Sequence, residues 1–178
     1  MGLIAAILQH REERILNEKK RLYADLIRIA FADNIYSEEE RDFIGAVVDR
    51  LGDIKVGEYL SGGVITVREL ISHVGIYYET GNLQDDVNHW IREWYSIPYP
   101  RSEKKRVTYL LLIVSIMVCD GKCAPKEIAI CNQMAENMGL SKRHVHQCIL
   151  YIARQKDTDL NRIRGVLSYY EGQNPVII

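Results

Sequence analysis

Residues 118–127 read Val118-Cys119-Asp120-Gly121-Lys122-Cys123-Ala124-Pro125-Lys126-Glu127, and residues 31–40 read Phe31-Ala32-Asp33-Asn34-Ile35-Tyr36-Ser37-Glu38-Glu39-Glu40. A shift of 87 residues lays one stretch on the other without a gap. Asp33 then meets Asp120, Asn34 meets Gly121 and Glu40 meets Glu127. Working outward, Leu26 meets Ile113, Ile29 meets Ile116, Leu51 meets Met138 and Gly52 meets Gly139. Each copy is an apolar helix, a short loop opening on Asp, a Glu seven residues later on the next helix, and a terminal Gly suited to a left-handed helix stop. An ordered, gapless set of matches of this kind points to internal duplication.

The surrounding periodicity is helical. Leu22, Leu26, Ile29 and Ala30 share one stripe, as do Phe43, Ile44, Val47, Val48 and Leu51. Thr66 and Glu69 form a capping-box pair that opens a helix running to about Tyr78. A further helix is expected over Leu83–Tyr95, ended by Pro98 and Pro100. Four more follow at Ser102–Cys119, Pro125–Met138, Ser141–Gln155 and Thr158–Glu171. Val64-Ile65-Thr66-Val67 is the one β-like cluster, and it reads as too short and isolated to seed a sheet. The expected class is therefore all-α, multihelical, with about eight helices. Two pseudo-twofold-related repeats, approximately 22–53 and 106–141, flank a divergent connection over 54–105, within one domain spanning 1–178.

Composition narrows the function classes. The 178 residues are 47% hydrophobic and 26% charged, as in a globular chain rather than a disordered one. A net charge of −1 excludes a strongly basic protein that coats nucleic acid. The charge is unevenly placed: residues 1–100 hold 11 basic and 17 acidic side chains, whereas residues 101–178 hold 12 and 7. No apolar run is long enough to span a bilayer, and the N-terminal residues fit neither an export signal nor a myristoylation pattern, so a cytoplasmic protein with no membrane partner is expected. In that compartment Cys119, Cys123, Cys131 and Cys148 are expected as buried thiols rather than disulfides.

The loop residues carry a resemblance. Val118–Glu127, followed by Met134-Ala135-Glu136-Asn137-Met138-Gly139-Leu140-Ser141, resembles the signature of the tellurite-resistance TerB-like family. In that signature an alanine-rich helix precedes Asp-Gly-x-(Ile/Leu)-(Ser/Thr)-x-x-Glu, and the next helix closes at Leu-Gly-Leu-Ser. Ala32–Glu40 is a second copy, with Asn34 in place of Gly, while Cys123 and Ala124 depart from the pattern in the later one. The resemblance covers residues 22–53 and 106–152. It implies an internally duplicated helical domain, an association with bacterial stress responses, and divalent-metal binding through the acidic loops.

From the residues themselves, Asp33, Glu40, Asp120 and Glu127 are the candidate metal ligands, as hard oxygens suited to Ca²⁺, Mg²⁺ or Mn²⁺. The structural reading competes strongly. Ser37-x-x-Glu40 is itself a capping box, and two carboxylates per loop fall well short of a full oxygen shell. A DNA-binding alternative uses the helix–Gly–helix step around Gly139, with Lys142, Arg143, His144, His146 and Gln147 on the second helix and Arg162 and Arg164 toward phosphates. His144 and Cys148 share a helix face but lack a second ligand pair for zinc. Trp90 and Trp94, one turn apart, are expected in the core. The chain contains no P-loop, nucleophile elbow, metalloprotease or di-iron signature. The expected function is a non-enzymatic binding or scaffold module that acts with a protein partner.

Overall fold

A computed structural model describes residues 2–32, 36–58, 62–77, 91–121 and 123–155, with residues 73–77 described as backbone only. Among these residues lie six α-helices, one 3₁₀ turn and one small hairpin: α1 (Leu3–Ala30), α2 (Glu38–Leu51), β1 (Lys55–Glu58), β2 (Val64–Thr66), α3 (Val67–Tyr77), the 3₁₀ turn Arg92–Ser96, α4 (Glu103–Val118), α5 (Pro125–Asn137) and α6 (Lys142–Ala153). The structure is mainly helical, in line with the class read from periodicity. The helix expected at Thr158–Glu171 and most of the one expected at Leu83–Tyr95 fall outside the described residues.

The chain divides into two compact units, one formed by residues 1–25 and 45–100, the other by 26–44 and 101–178. In the second unit α4, α5 and α6 pack on one another. Leu110, Ile113, Val114, Ile116 and Met117 are fully buried along α4, and α6 contributes Val145 and Ile149. Each such side chain contributes about 1.5–3 kcal/mol when withdrawn from water. Ser102 stands at the N-cap position of α4 without a side-chain capping bond, and Pro125 opens α5, where its missing N–H is no loss. Gly139, at φ +71°, ends that helix, and Leu140 N–H returns to Ala135 O at 2.8 Å.

The first unit holds the β-hairpin. Val64–Thr66 does pair, antiparallel, with Lys55–Glu58, contrary to the expectation of an isolated cluster. Its partner gives little strand signal, because Lys55-Val56-Gly57-Glu58 carries a glycine and two charges where a strand prefers β-branched residues. A bulge between Lys55 and Gly57 interrupts the register and hides the alternation further. Ile65 is buried beneath the hairpin, while Val64 stays half exposed. The strand runs directly into α3, whose first turn is held by Thr66 Oγ1, accepting Glu69 N–H at 3.2 Å, and by Asp53 Oδ1, accepting Arg68 N–H at 3.1 Å.

Helix α1 contributes to both units, and from Arg21 to Ala30 every residue but Arg28 is buried. Leu22, Leu26, Ile29 and Ala30 lie in the core as the sequence requires, and so do Ile44, Val47 and Val48 of α2. Leu51, at the end of the same stripe, is 37% exposed. The 3₁₀ turn replaces the end of the α-helix expected through Tyr95, because the run into Pro98 and Pro100 leaves too little chain for a further α-turn. Trp94 is buried there with Lys20 Nζ 5.9 Å from its ring centroid, and Trp90 lies outside the described residues.

Candidate functional site: the paired acidic loops

Glu40 is the third residue of α2, and Glu127 is the third of α5. Both are buried, at 2% and 1% exposure. In the first loop the capping box is complete: Ser37 N–H donates to Glu40 Oε2 at 2.8 Å, and Glu40 N–H donates back to Ser37 Oγ at 3.1 Å. In the second, Ala124 N–H donates to Glu127 Oε2 at 2.6 Å, but alanine has no hydroxyl to return the bond. The departure from Ser/Thr at position 124 therefore removes half of the box and leaves the glutamate in place.

The two loops share one electrostatic neighbourhood. Burial pushes the Glu40 carboxyl up to about 8; the hydrogen bonds from Ser37 oppose the shift, and the charges of Glu127 and Asp120 add to it. Cys119 feels the same acids: burial, then Glu40 and Asp120, raises its thiol to about 12. The Cys123 thiol is raised by burial and by Glu127 and Asp120. The charges of Asp120 and Glu127 thus act on Glu40 and on two half-buried cysteines, Cys119 and Cys123.

Asp33, the fourth candidate ligand, lies outside the described residues. Among the described residues, no group of three or more His, Cys, Asp or Glu side chains is arranged to hold a metal ion. The residues flanking the first loop are fixed, since Phe31 and Tyr36 stack with ring centroids 4.9 Å apart and planes 17° from parallel. Burial raises the Tyr36 hydroxyl, which has no hydrogen-bond partner among the described residues, well above the ordinary tyrosine range.

Helix α6 does not present the five polar residues of the DNA-reading alternative together. His146 is 2% exposed and faces the core with Val145 and Ile149, so it cannot read a base edge. His144 is committed to the helix start, its Nδ1 accepting Ser141 N–H at 3.1 Å. Lys142 is half-buried, which leaves Arg143 and Gln147 as the exposed pair. The three-residue spacing from Ser141 to His144 signals the cap, and the apolar neighbours of His146 signal its burial. Arg162 and Arg164 lie outside the described residues.

All four cysteines are free thiols, with Cys131 and Cys148 buried. Burial raises Cys148 to about 11 and Cys131 higher still, with Cys123 and Cys148 close enough to Cys131 to add to its shift. Thiols so strongly protonated at neutral pH are poor nucleophiles.

A polar centre that sequence reading missed lies in the first unit. Arg21 Nε bonds Asp25 Oδ2 at 3.0 Å, and its Nη2 bonds the Tyr99 hydroxyl at 2.7 Å. Nη1 donates to the carbonyls of Tyr95 and Ile97, the latter at 3.3 Å, and the guanidinium carbon sits 4.2 Å from the centroid of the Tyr99 ring. One buried guanidinium thereby fastens the 95–99 segment to α1. The four-residue spacing of Arg21 and Asp25 on a helix face flanked by apolar residues was the available signal.

No helix among the described residues is long and apolar enough to cross a membrane. Compared with protein-family models, with curated proteins and with solved structures, the chain matches none.

Proposed function

We propose that this chain is a non-enzymatic, cytoplasmic binding or scaffold module of TerB-like build, made of two related helical repeats, about 22–53 and 106–141, disposed about a pseudo-twofold axis. The observation that carries the reading is the equivalence of Glu40 and Glu127. Residues at matching places in the two repeats are buried at the same helical position, accept the same backbone N–H three residues back, and act on one electrostatic centre. Gly52 and Gly139 add support, because both follow their helices at positive φ, +104° and +71°.

In this reading a divalent cation is the ligand class that the acidic loops admit, since it would offset the mutual repulsion of Glu40, Asp120 and Glu127. A cation entering beside Glu40, Asp120 and Glu127 competes with the proton held on Glu40, so its binding strengthens as pH rises and releases protons. Stress-linked sensing with a protein partner is the functional setting that the family resemblance supplies.

Calorimetric titration of the full chain with Ca²⁺, Mg²⁺ and Mn²⁺ at pH 7 and pH 8.5 tests the ligand. The expected result is a saturable heat that grows at the higher pH and disappears in Asp120→Asn. Absence of heat with all three cations at both pH values removes the metal and leaves the scaffold reading, which fails separately if the two repeats prove not to superpose in an experimental structure.

A further inference from the structure

The first half of α1 is bare on every side: from Leu3 to Asn17 each residue but Ala5 is exposed. Its first two turns, Leu3-Ile4-Ala5-Ala6-Ile7-Leu8, hold no polar side chain. Leu3, Ile4, Ile7 and Leu8 are 78, 75, 58 and 51% exposed. At about 100° per residue these four, with Ile15, fall within one arc of roughly 140°. Arg11 and Arg14 lie inside that arc, and Glu12 and Glu13 lie outside it. Single exposed apolar residues are ordinary on a protein surface, but four large ones together at one helix end mark a contact surface.

We infer that this helix end docks on an anionic lipid bilayer, entering one leaflet obliquely and tip first. Three features select that occupant. The tip is apolar all round, with Ala5 and Ala6 as its reverse side, whereas a helix seated in a protein groove buries one face and keeps the other polar. The cations Arg11 and Arg14 come next along the axis and on the apolar side, at the level of the headgroup phosphates, with Glu12 and Glu13 turned away. The helix start carries open first-turn N–H groups and no acidic side chain, so its positive dipole end meets lipid phosphate and ester oxygens. The depth agrees as well. Six residues rise about 9 Å, within the roughly 5–10 Å to which interfacial helices enter. No described helix crosses a membrane, and this one reaches into a single leaflet. An interfacial anchor needs neither a spanning run nor an export signal, which is why the expectation of no membrane partner does not anticipate it. This inference stands independently of the acidic loops.

Flotation of the full chain with vesicles of mixed phosphatidylglycerol and phosphatidylcholine, and with vesicles of phosphatidylcholine alone, provides the test. The chain is expected to float with the anionic vesicles, to bind the neutral ones far more weakly, and to lose anionic binding as salt rises. Ile4→Glu is expected to abolish flotation with helicity unchanged by circular dichroism, since Ile4 contributes nothing to the core. Arg11→Gln and Arg14→Gln are each expected to weaken anionic binding about fivefold, and Glu12→Gln not to weaken it. Absence of flotation with anionic vesicles overturns the proposal, whether or not the chain self-associates through this helix end. So does flotation that survives Ile4→Glu, or equal binding to anionic and neutral vesicles that neither arginine variant alters.

Discussion

Glu40 and Glu127, separated by 87 residues, perform the same task in two loops and crowd one another electrostatically while doing so. The crowding has a pH signature. Glu40 titrates near 8 in the folded chain against 4.5 for an unperturbed glutamate, so the folded state holds a proton that the unfolded state releases. Stability from this group is complete below pH 4.5, declines as pH rises toward 8, and is level beyond, with a slope of at most about 1.4 kcal/mol per pH unit. Glu40→Gln keeps an oxygen for Ser37 N–H and discards the charge. Urea denaturation at pH 9 is therefore expected to find Glu40→Gln more stable than the parent, with the difference vanishing at pH 5. A variant less stable at both pH values contradicts the assignment.

The half-built box of the second loop suggests a repair. Ala124 stands where Ser37 stands in the first loop, in the extended conformation an N-cap needs. Ala124→Ser places a hydroxyl acceptor three residues before Glu127, as Ser37 does for Glu40, and is expected to raise stability by about 0.5–2 kcal/mol in thermal denaturation. No gain, or a loss, means that the second loop differs from the first in more than the hydroxyl.

The two helix stops differ from ordinary glycines in a testable manner. A Cβ at Gly139 meets no atom within 4 Å, so the cost of Gly139→Ala comes from its φ of +71° alone. About 1–2 kcal/mol is expected, with Gly139→Asn milder because asparagine tolerates the left-handed region. Equal stabilities for Gly, Ala and Asn in chemical denaturation refute the role.

Removing the Arg21 guanidinium takes the paired cation from Asp25, whose side chain is fully buried. Arg21→Met is expected to cost about 3–5 kcal/mol, whereas Tyr99→Phe, which removes a hydroxyl bonded to both Arg21 and Asp25, costs about 1.5–3 kcal/mol. The order of the two losses, read from denaturant midpoints, checks the arrangement; the reverse order contradicts it.

Much of this was legible beforehand in particular residues. The Ser37–Glu40 spacing gave a complete cap, Pro125 and Gly139 bounded α5, and the stripe at Leu22, Leu26 and Ile29 was core. Three matters were not, each for a physical reason. The hairpin partner was concealed by Gly57 and a bulge, which break the two-residue alternation. His146 stands among the DNA-reading candidates by residue type alone, whereas its place beside Val145 and Ile149 puts it on the buried face. The clamp of Arg21 onto Tyr99 joins residues 78 apart, a pairing that no local period encodes. As for the candidate ligands, local spacing located Glu40 and Glu127, while their effect on one another depends on tertiary packing.

The most direct test of the paired loops is a carbon-13 NMR titration of the Glu40 side-chain carboxyl in the full chain and in Glu127→Gln. A midpoint near 8 that drops when the neighbouring charge is removed agrees with two equivalent carboxylates sharing one buried centre. A midpoint near 4.5, unmoved by Glu127→Gln, contradicts it.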